Sequence, residues 1–286
     1  MFPRRRAAGL FLPAVLAALF APAVFCPANA RADFDYPDFS STAGLNLQGS
    51  AAVVNDGISD VLRLTPATGS QIGSAFNTTA QQVVTGFGTQ FDFDFTDPGG
   101  ISDGSGNPGG DGVAFNLASA LPGSAVFASS EFSVLFDTFQ NAGDPGSNFV
   151  RVLLNGATFA LTGDLTSSFD FSNGDEYRAE INTIGDAAGT LEVTLINLTT
   201  NAAPQVVISQ TGFSLAPTFA TGTAFAGLGA FTGGAFENHD IISFALQEGP
   251  EPLVTGGVIP EPGTLVLALG GCLLPVVGFV RRRSRR

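Results

Sequence analysis

The segment Phe91-Asp92-Phe93-Asp94-Phe95 alternates an aromatic ring with a carboxylate at every step. Only an extended strand sends residues i, i+2 and i+4 to one face, so the three rings share one side and the two aspartates the other. A helix would scatter the charges among the rings. One face is therefore core and the other is wet. The same grammar recurs from Leu45 to Leu246, where short apolar runs alternate with Gly, Pro, Asn and Asp. Further strands are expected at Val61 to Thr65, Ile72 to Phe76, Gly112 to Leu117, Phe132 to Thr138 and Phe149 to Leu154. Glu176 to Ile184, Leu191 to Asn197, Val206 to Ser209, Ala224 to Phe231 and Ile241 to Leu246 complete the set. No stretch between them has a sustained helical period with caps. About eleven strands in one unit of this length predict an all-β fold of two packed sheets. The 36 glycines and 27 phenylalanines, without a tryptophan, fit short strands joined by tight turns.

Two interruptions stand out. Residues 96–111 (TDPGGISDGSGNPGGD) read as a loop too long for a hairpin, the kind that carries function. Residues 141–148 (NAGDPGSN) form a second loop, rich in oxygen ligands.

Charge narrows the partners. All 25 acids lie between Asp33 and Glu261, where only Arg63, Arg151 and Arg178 oppose them, a formal charge of −22. Nucleic-acid binding needs a basic footprint and is excluded. Divalent cations and neutral ligands are favoured instead.

The termini say where the chain goes. Arg4-Arg5-Arg6, the apolar stretch Ala7 to Phe25 and the small residues around Ala28 to Ala32 have the three regions of a secretory signal, over residues 1–32. Phe25 before Cys26 argues against a lipoprotein. Near the other end, after a Gly- and Pro-rich linker at 247–259, come Pro260-Glu261-Pro262, an apolar run from Thr264 to Val280, and Arg281-Arg282-Arg283. The run is about long enough to span a bilayer, and the arginines mark a cytoplasmic stop. This tail, residues 260–286, resembles the PEP-CTERM sorting signal of bacteria that secrete exopolysaccharide. The resemblance implies a transmembrane helix, transient membrane association, recognition by an exosortase-type processing enzyme, and release to the envelope or extracellular matrix. Both cysteines, Cys26 and Cys272, fall in the terminal segments, so the domain at 33–246 is expected to hold no disulfide.

Within that domain several segments fall in a familiar order. Asp111-Gly112-Val113-Ala114-Phe115, then Phe136-Asp137-Thr138-Phe139-Gln140-Asn141 with Asp144-Pro145, then Gly229 to Gly233 and His239 to Phe244, resemble the signature segments of legume-type (L-type) lectins. The resemblance implies a concanavalin-A-like jelly-roll sandwich that binds a glycan and is not an enzyme. It also implies site residues. Asp111 and Asn141 would meet sugar hydroxyls, since a carboxylate and an amide together supply acceptors and a donor. Phe139 and Phe231 would offer the apolar platform. Asp137, the Phe139 carbonyl, Asn141 and Asp144 would hold Ca²⁺, which takes six to eight hard oxygen ligands. The same residue types also shape simple turns. A transition-metal site of the family is expected to be lost, because the places of its Glu and His hold Leu135 and Asn148 or Phe149. His239 is expected to be structural, since one His cannot build a triad with a second. Glu131 and Asp137 are the only acids worth weighing as a glycosidase pair, and they lack the alternation that such a pair needs. Two readings therefore compete with a lectin: a matrix protein that has lost sugar binding, and a glycoside hydrolase.

Overall fold

The structure, a computed structural model, describes residues 33–128, 131–184 and 189–249. The secretory segment, the sorting tail with Pro260, Glu261 and Pro262, and most of the linker lie outside the described residues. In chain order the strands are β1 (Phe34–Tyr36), β2 (Leu45–Gly49), β3 (Ala52–Asn55), β4 (Asp60–Thr65), β5 (Ile72–Asn77), β6 (Gln81–Gln82), β7 (Phe87–Gly100) and β8 (Gly112–Ala118). They continue with β9 (Phe132–Asp137), β10 (Phe149–Leu154), β11 (Ala157–Leu161), β12 (Tyr177–Ile184), β13 (Gly189–Asn197), β14 (Gln205–Phe213), β15 (Thr223–Phe231) and β16 (Ala235–Glu248). One 3₁₀ turn, Phe171–Asn173, precedes β12.

The strands form two eight-stranded antiparallel sheets stacked as a jelly-roll sandwich. The back sheet runs β14-β13-β12-β7-β16-β4-β3, with β1 added on β16. The front sheet runs β11-β10-β9-β8-β15-β5-β2, with β6 added on β15. Alternation decides what faces inward. Phe91, Phe93 and Phe95 of β7 are fully buried, and on β9 so are Phe132, Val134 and Phe136. These rows meet between the sheets: Phe91 and Phe136 pack edge-on at 5.5 Å between centroids, and Phe87 lies 5.8 Å from Phe115. Each such aromatic pair adds about 0.5–1.5 kcal/mol beyond its burial. With no disulfide expected, this aromatic layer is the staple of the fold.

The outer face of the back sheet carries the carboxylates of β7. Arg178 Nε and Nη2 donate to Asp92 at 2.7 and 2.8 Å, and Arg63 Nε and Nη2 to Asp240 at 2.8 and 2.6 Å. Asp94 sits opposite Asp240 in register, and its Oδ1 is buried without a partner. Burial, with the charge of Asp240 adding, pushes its carboxyl up to about 7.

The expected strands are present, but their number and bounds differ. Short edge strands such as β1, β3, β6 and β11 carry too few alternations to be read from sequence. More instructive is the expected loop at residues 96–111. Its first five residues instead extend β7, pairing Gly100 with Ala235 and Gly99 with Phe236 across to β16. Backbone ladder bonds there override residue types that favour turns, and the concession is local: Asp97 takes φ +55° beside a register shift between Phe236 and Asn238. The last strand likewise runs past Leu246, with Gln247 buried against the sheet.

Candidate functional site

Four chain segments converge at one end of the front sheet: 109–112, 137–144, 231–234 and the first residues of β16. Asp111 is anchored by its backbone, its N–H donating to the Phe231 carbonyl at 2.8 Å. The Gly110–Asp111 peptide is cis. Next to it, Gly112 passes so close to β9 that a Cβ there would lie 2.1 Å from the Phe136 carbonyl oxygen. Glycine is thus obligatory after this aspartate. Across from Asp111 lies Gly233, where a Cβ would sit 3.2 Å from Asp111 Oδ2 and 3.8 Å from Phe231 Cε1. The absent side chain leaves the carboxylate open. Burial raises the Asp111 carboxyl to about 6, with the charge of Glu237 adding.

A second loop closes on itself beside the first. Asp137, at the end of β9, is 7% exposed, and its Oδ1 accepts from the Phe139 N–H at 2.9 Å. Asp144 Oδ2 accepts from the Asn141 N–H at 3.0 Å, and Asn141 Nδ2 donates to the Phe139 carbonyl at 3.3 Å. Burial pushes the Asp137 carboxyl up to about 8; the Phe139 N–H and Arg151 oppose the rise, and Asp144 and Asp111 add to it. A carboxylate in that environment is short of positive charge. Among the described residues, no three His, Cys, Asp or Glu side chains form a metal-binding group. The loop offers instead a mixed set of two carboxylates, an amide and a main-chain carbonyl, which is the hard-oxygen chemistry that calcium takes. The donor set fits that ion, with one complication: Arg151 Nη2 already donates to Asp144 Oδ1 at 2.6 Å.

The places expected for a second metal hold other contacts. Leu135 is buried and pairs in register with Arg151. Asn148 donates to Thr166 Oγ1 at 3.1 Å and accepts from the Phe171 N–H at 3.0 Å. Phe149 is fully buried opposite Asp137.

Of the aromatic candidates, Phe139 touches the Asp111 loop directly, since a Cβ on Gly110 would lie 3.1 Å from Phe139 Cβ. Phe231 pairs in register with Gly112 and packs on Phe127 at 6.1 Å between centroids. Both rings are half-buried, and Asn141 lies on the exposed rim. Asp111, Asp137, Phe139 and Phe231 are thus gathered at one place. Glu131 is not among them: it sits before β9, six residues from Asp137 and about 20 Å away along a strand at roughly 3.3 Å per residue. A two-carboxylate glycosidase needs a pair within about 5–9.5 Å.

Two buried residues of β16 brace both loops from behind. The Gly112 N–H donates to His239 Nε2 at 3.1 Å, which places the ring proton on Nδ1, 2.6 Å from Thr65 Oγ1. Because Nε2 is an acceptor here, the 3.4 Å approach of Glu237 Oε1 to it is a contact and not an ion pair. Glu237, fully buried, accepts from Thr138 Oγ1 at 2.8 Å, and a Cβ on Gly109 would lie 2.7 Å from its Oε2. One side chain therefore touches both the start of the 137–144 loop and the approach to Asp111. His239 was expected to be structural. Glu237 was not singled out, although a carboxylate two residues before His239 and four before the buried Ile241 shares their inward parity in a strand.

The profile of the Legume lectin domain family matches residues 31–253. Among solved structures, lectin II from Ulex europaeus is similar at 20% identity and a TM-score of 0.59, over 77% of this chain and all of that one. The lectin from Bauhinia forficata, solved in complex with GalNAc, is similar at 20% identity and a TM-score of 0.58, over 76% of this chain and 98% of that one. The exoplasmic/lumenal domain of VIP36 in its Ca²⁺/Man-bound form is similar at 20% identity and a TM-score of 0.53, over 76% of this chain and 86% of that one. No curated protein sequence matches the chain significantly.

Proposed function

The chain belongs to the legume lectin domain family, and from that premise we propose that it is an exported, non-enzymatic carbohydrate-binding protein whose glycan sits over Asp111. One observation carries the reading. A half-buried carboxylate, fixed by its own backbone, faces Gly233, which has no side chain to cover it, and Phe231 and Phe139 border Gly233 and Gly110 beside it. Such a group accepts hydrogen bonds from adjacent hydroxyls at fixed geometry. The formal charge of −22 favours a neutral sugar or polymer over an anionic one. Relatives bound to mannose and to GalNAc support the same class of ligand.

Calcium, when bound, would be held by Asp137, Asn141, Asp144 and the Phe139 carbonyl, and would supply positive charge that fixes the loop carrying Asn141. The Asn141 amide, which donates to the Phe139 carbonyl in this structure, would then be the donor offered to a sugar hydroxyl. Excess calcium is expected to raise the melting temperature, with stabilisation of about 2.7 kcal/mol at roughly 100-fold above the dissociation constant. A melting curve identical in millimolar calcium and in chelator contradicts the ion's role.

The terminal signals complete the proposal: export through the secretory signal, exosortase-type processing at the tail with Pro260, Glu261 and Pro262, and delivery to the envelope or extracellular polysaccharide matrix. A second reading, a matrix protein on the same fold without sugar binding, draws on the Arg151–Asp144 ion pair and on the internal bond of the Asn141 amide. A glycan array probed with the exported chain, with calcium and with chelator, separates the two. Binding to a neutral glycan supports the lectin; an array without signal favours the matrix protein.

Gly233 provides a sharper check. Gly233→Val puts a branched side chain onto Asp111 Oδ2 at a half-buried turn, so glycan binding is expected to fall at least tenfold while the melting temperature stays within a few degrees. Unchanged glycan affinity in a folded Gly233→Val protein would place the sugar elsewhere.

A further inference from the structure

Three arginines serve the described domain, and two of them make two-point pairs with an aspartate on the outer face of the back sheet. Arg151 is different. It leaves β10 on the face of Phe149, opposite Leu135, and its guanidinium lies 5.1 Å from the centroid of the Phe149 ring. Only Nη2 reaches a carboxylate, Asp144 Oδ1 at 2.6 Å, while Nε is buried without a partner. Its charge also reaches Asp137, two residues beyond Leu135 on β9. The guanidinium therefore serves both carboxylates of the candidate calcium loop and forgoes the two-point geometry of the other arginines.

Resting on the reading of residues 137–144 as a cation loop, we infer that Arg151 is the loop's resident cation: it holds Asp144 in place without a metal and sets the calcium affinity low. Two effects follow from its position. In the calcium-free protein it offsets part of the repulsion between Asp137 and Asp144, so the loop keeps its shape when the ion leaves. In the calcium-bound protein it is a like charge within the first coordination sphere's neighbourhood, which opposes the ion. Asp144 Oδ1 is taken, and Oδ2 is the oxygen left to share between the Asn141 N–H and an ion. The arrangement trades tight calcium binding for a glycan site that stays assembled at low calcium.

The test compares wild type, Arg151→Gln and Arg151→Lys in the full exported chain, by calcium titration calorimetry and by melting in calcium and in chelator. Arg151→Gln is expected to bind calcium at least tenfold more tightly, to melt lower in chelator, and to show a wider gap between the two melting temperatures. Arg151→Lys, which keeps the charge, is expected to stay within a few-fold of wild type. Calcium affinity that is unchanged or weaker in Arg151→Gln overturns the inference, as does a tenfold gain in Arg151→Lys. If wild type binds no measurable calcium, a calcium-dependent rise in the melting temperature of Arg151→Gln supports the inference and its absence overturns it. Glycan binding is read separately on the array, so a failure of the lectin reading is not confused with a failure at Arg151.

Discussion

Asp111→Ala is expected to abolish glycan binding while the domain unfolds as cooperatively as wild type. A hydrogen bond to a charged group contributes about 1.5–3 kcal/mol, which corresponds to roughly 10- to 150-fold in affinity. That is enough to erase weak monovalent binding. The fold should tolerate the change because Asp111 is held through its backbone, by the Phe231 carbonyl, and through its neighbour Gly112, by His239. Its carboxylate has no stabilising partner to lose, and burial already disfavours its charge. Asp137→Ala should behave differently, losing glycan binding together with the calcium-dependent rise in melting temperature. Titration of the best array ligand into both variants, beside their melting curves with and without calcium, checks the pair. Wild-type affinity in Asp111→Ala would remove that residue from the site.

The second large effect is a loss of stability on going from pH 5 to pH 8 in the absence of calcium. Asp94 has its carboxyl pushed up to about 7, Asp111 to about 6 and Asp137 to about 8, chiefly by burial. Each ionises near 3.9 in an unfolded chain. Between these limits the native state binds more protons than the unfolded state, so stability falls as pH rises. The fall begins above about pH 4, runs through the whole interval to pH 8, and ends about one unit above that, once the Asp137 carboxyl too is charged in the folded state. Carboxylates held below their ordinary value, such as Asp56 and Asp103, act in the opposite sense only at more acid pH. The melting temperature in chelator is expected to drop by on the order of 5 °C or more across this window. Calcium should shrink the drop, because an ion on Asp137 compensates its charge. A chelated protein that melts higher at pH 8 than at pH 5 would contradict these environments.

The alternation at Phe91 to Phe95 was enough to predict a strand and which side of β7 is core, because a period of two has one structural meaning; the sandwich followed from about eleven such strand signals in one unit and from the lectin resemblance. Boundaries were less legible. Gly99 and Gly100 are turn formers by type, yet they lie in β7 because β16 supplies their backbone partners from more than 130 residues away, with Asp97 taken up in the register shift beside them. The site divides in the same way. Asp111, Asp137, Phe139 and Asp144 stand in short segments that were singled out by their resemblance to lectin signatures, and the structure gathers those segments at one end of the front sheet. Arg151 gives no such signal, because its meaning depends on the β9–β10 register that sets it opposite Leu135 and within reach of Asp144. Gly233 matters through the side chain it lacks, and only the approach of Asp111 reveals it. Glu237 alone was readable in principle, as a carboxylate at an inward position.

Mapping amide shifts of the isotope-labelled exported chain during titration with neutral glycans tests the central claim most directly. The account predicts saturable shifts confined to residues 109–112, 139–141 and 231–234, absent from Asp111→Ala. Saturable shifts that cluster on another surface, or no shift with any glycan that an array presents, would contradict it.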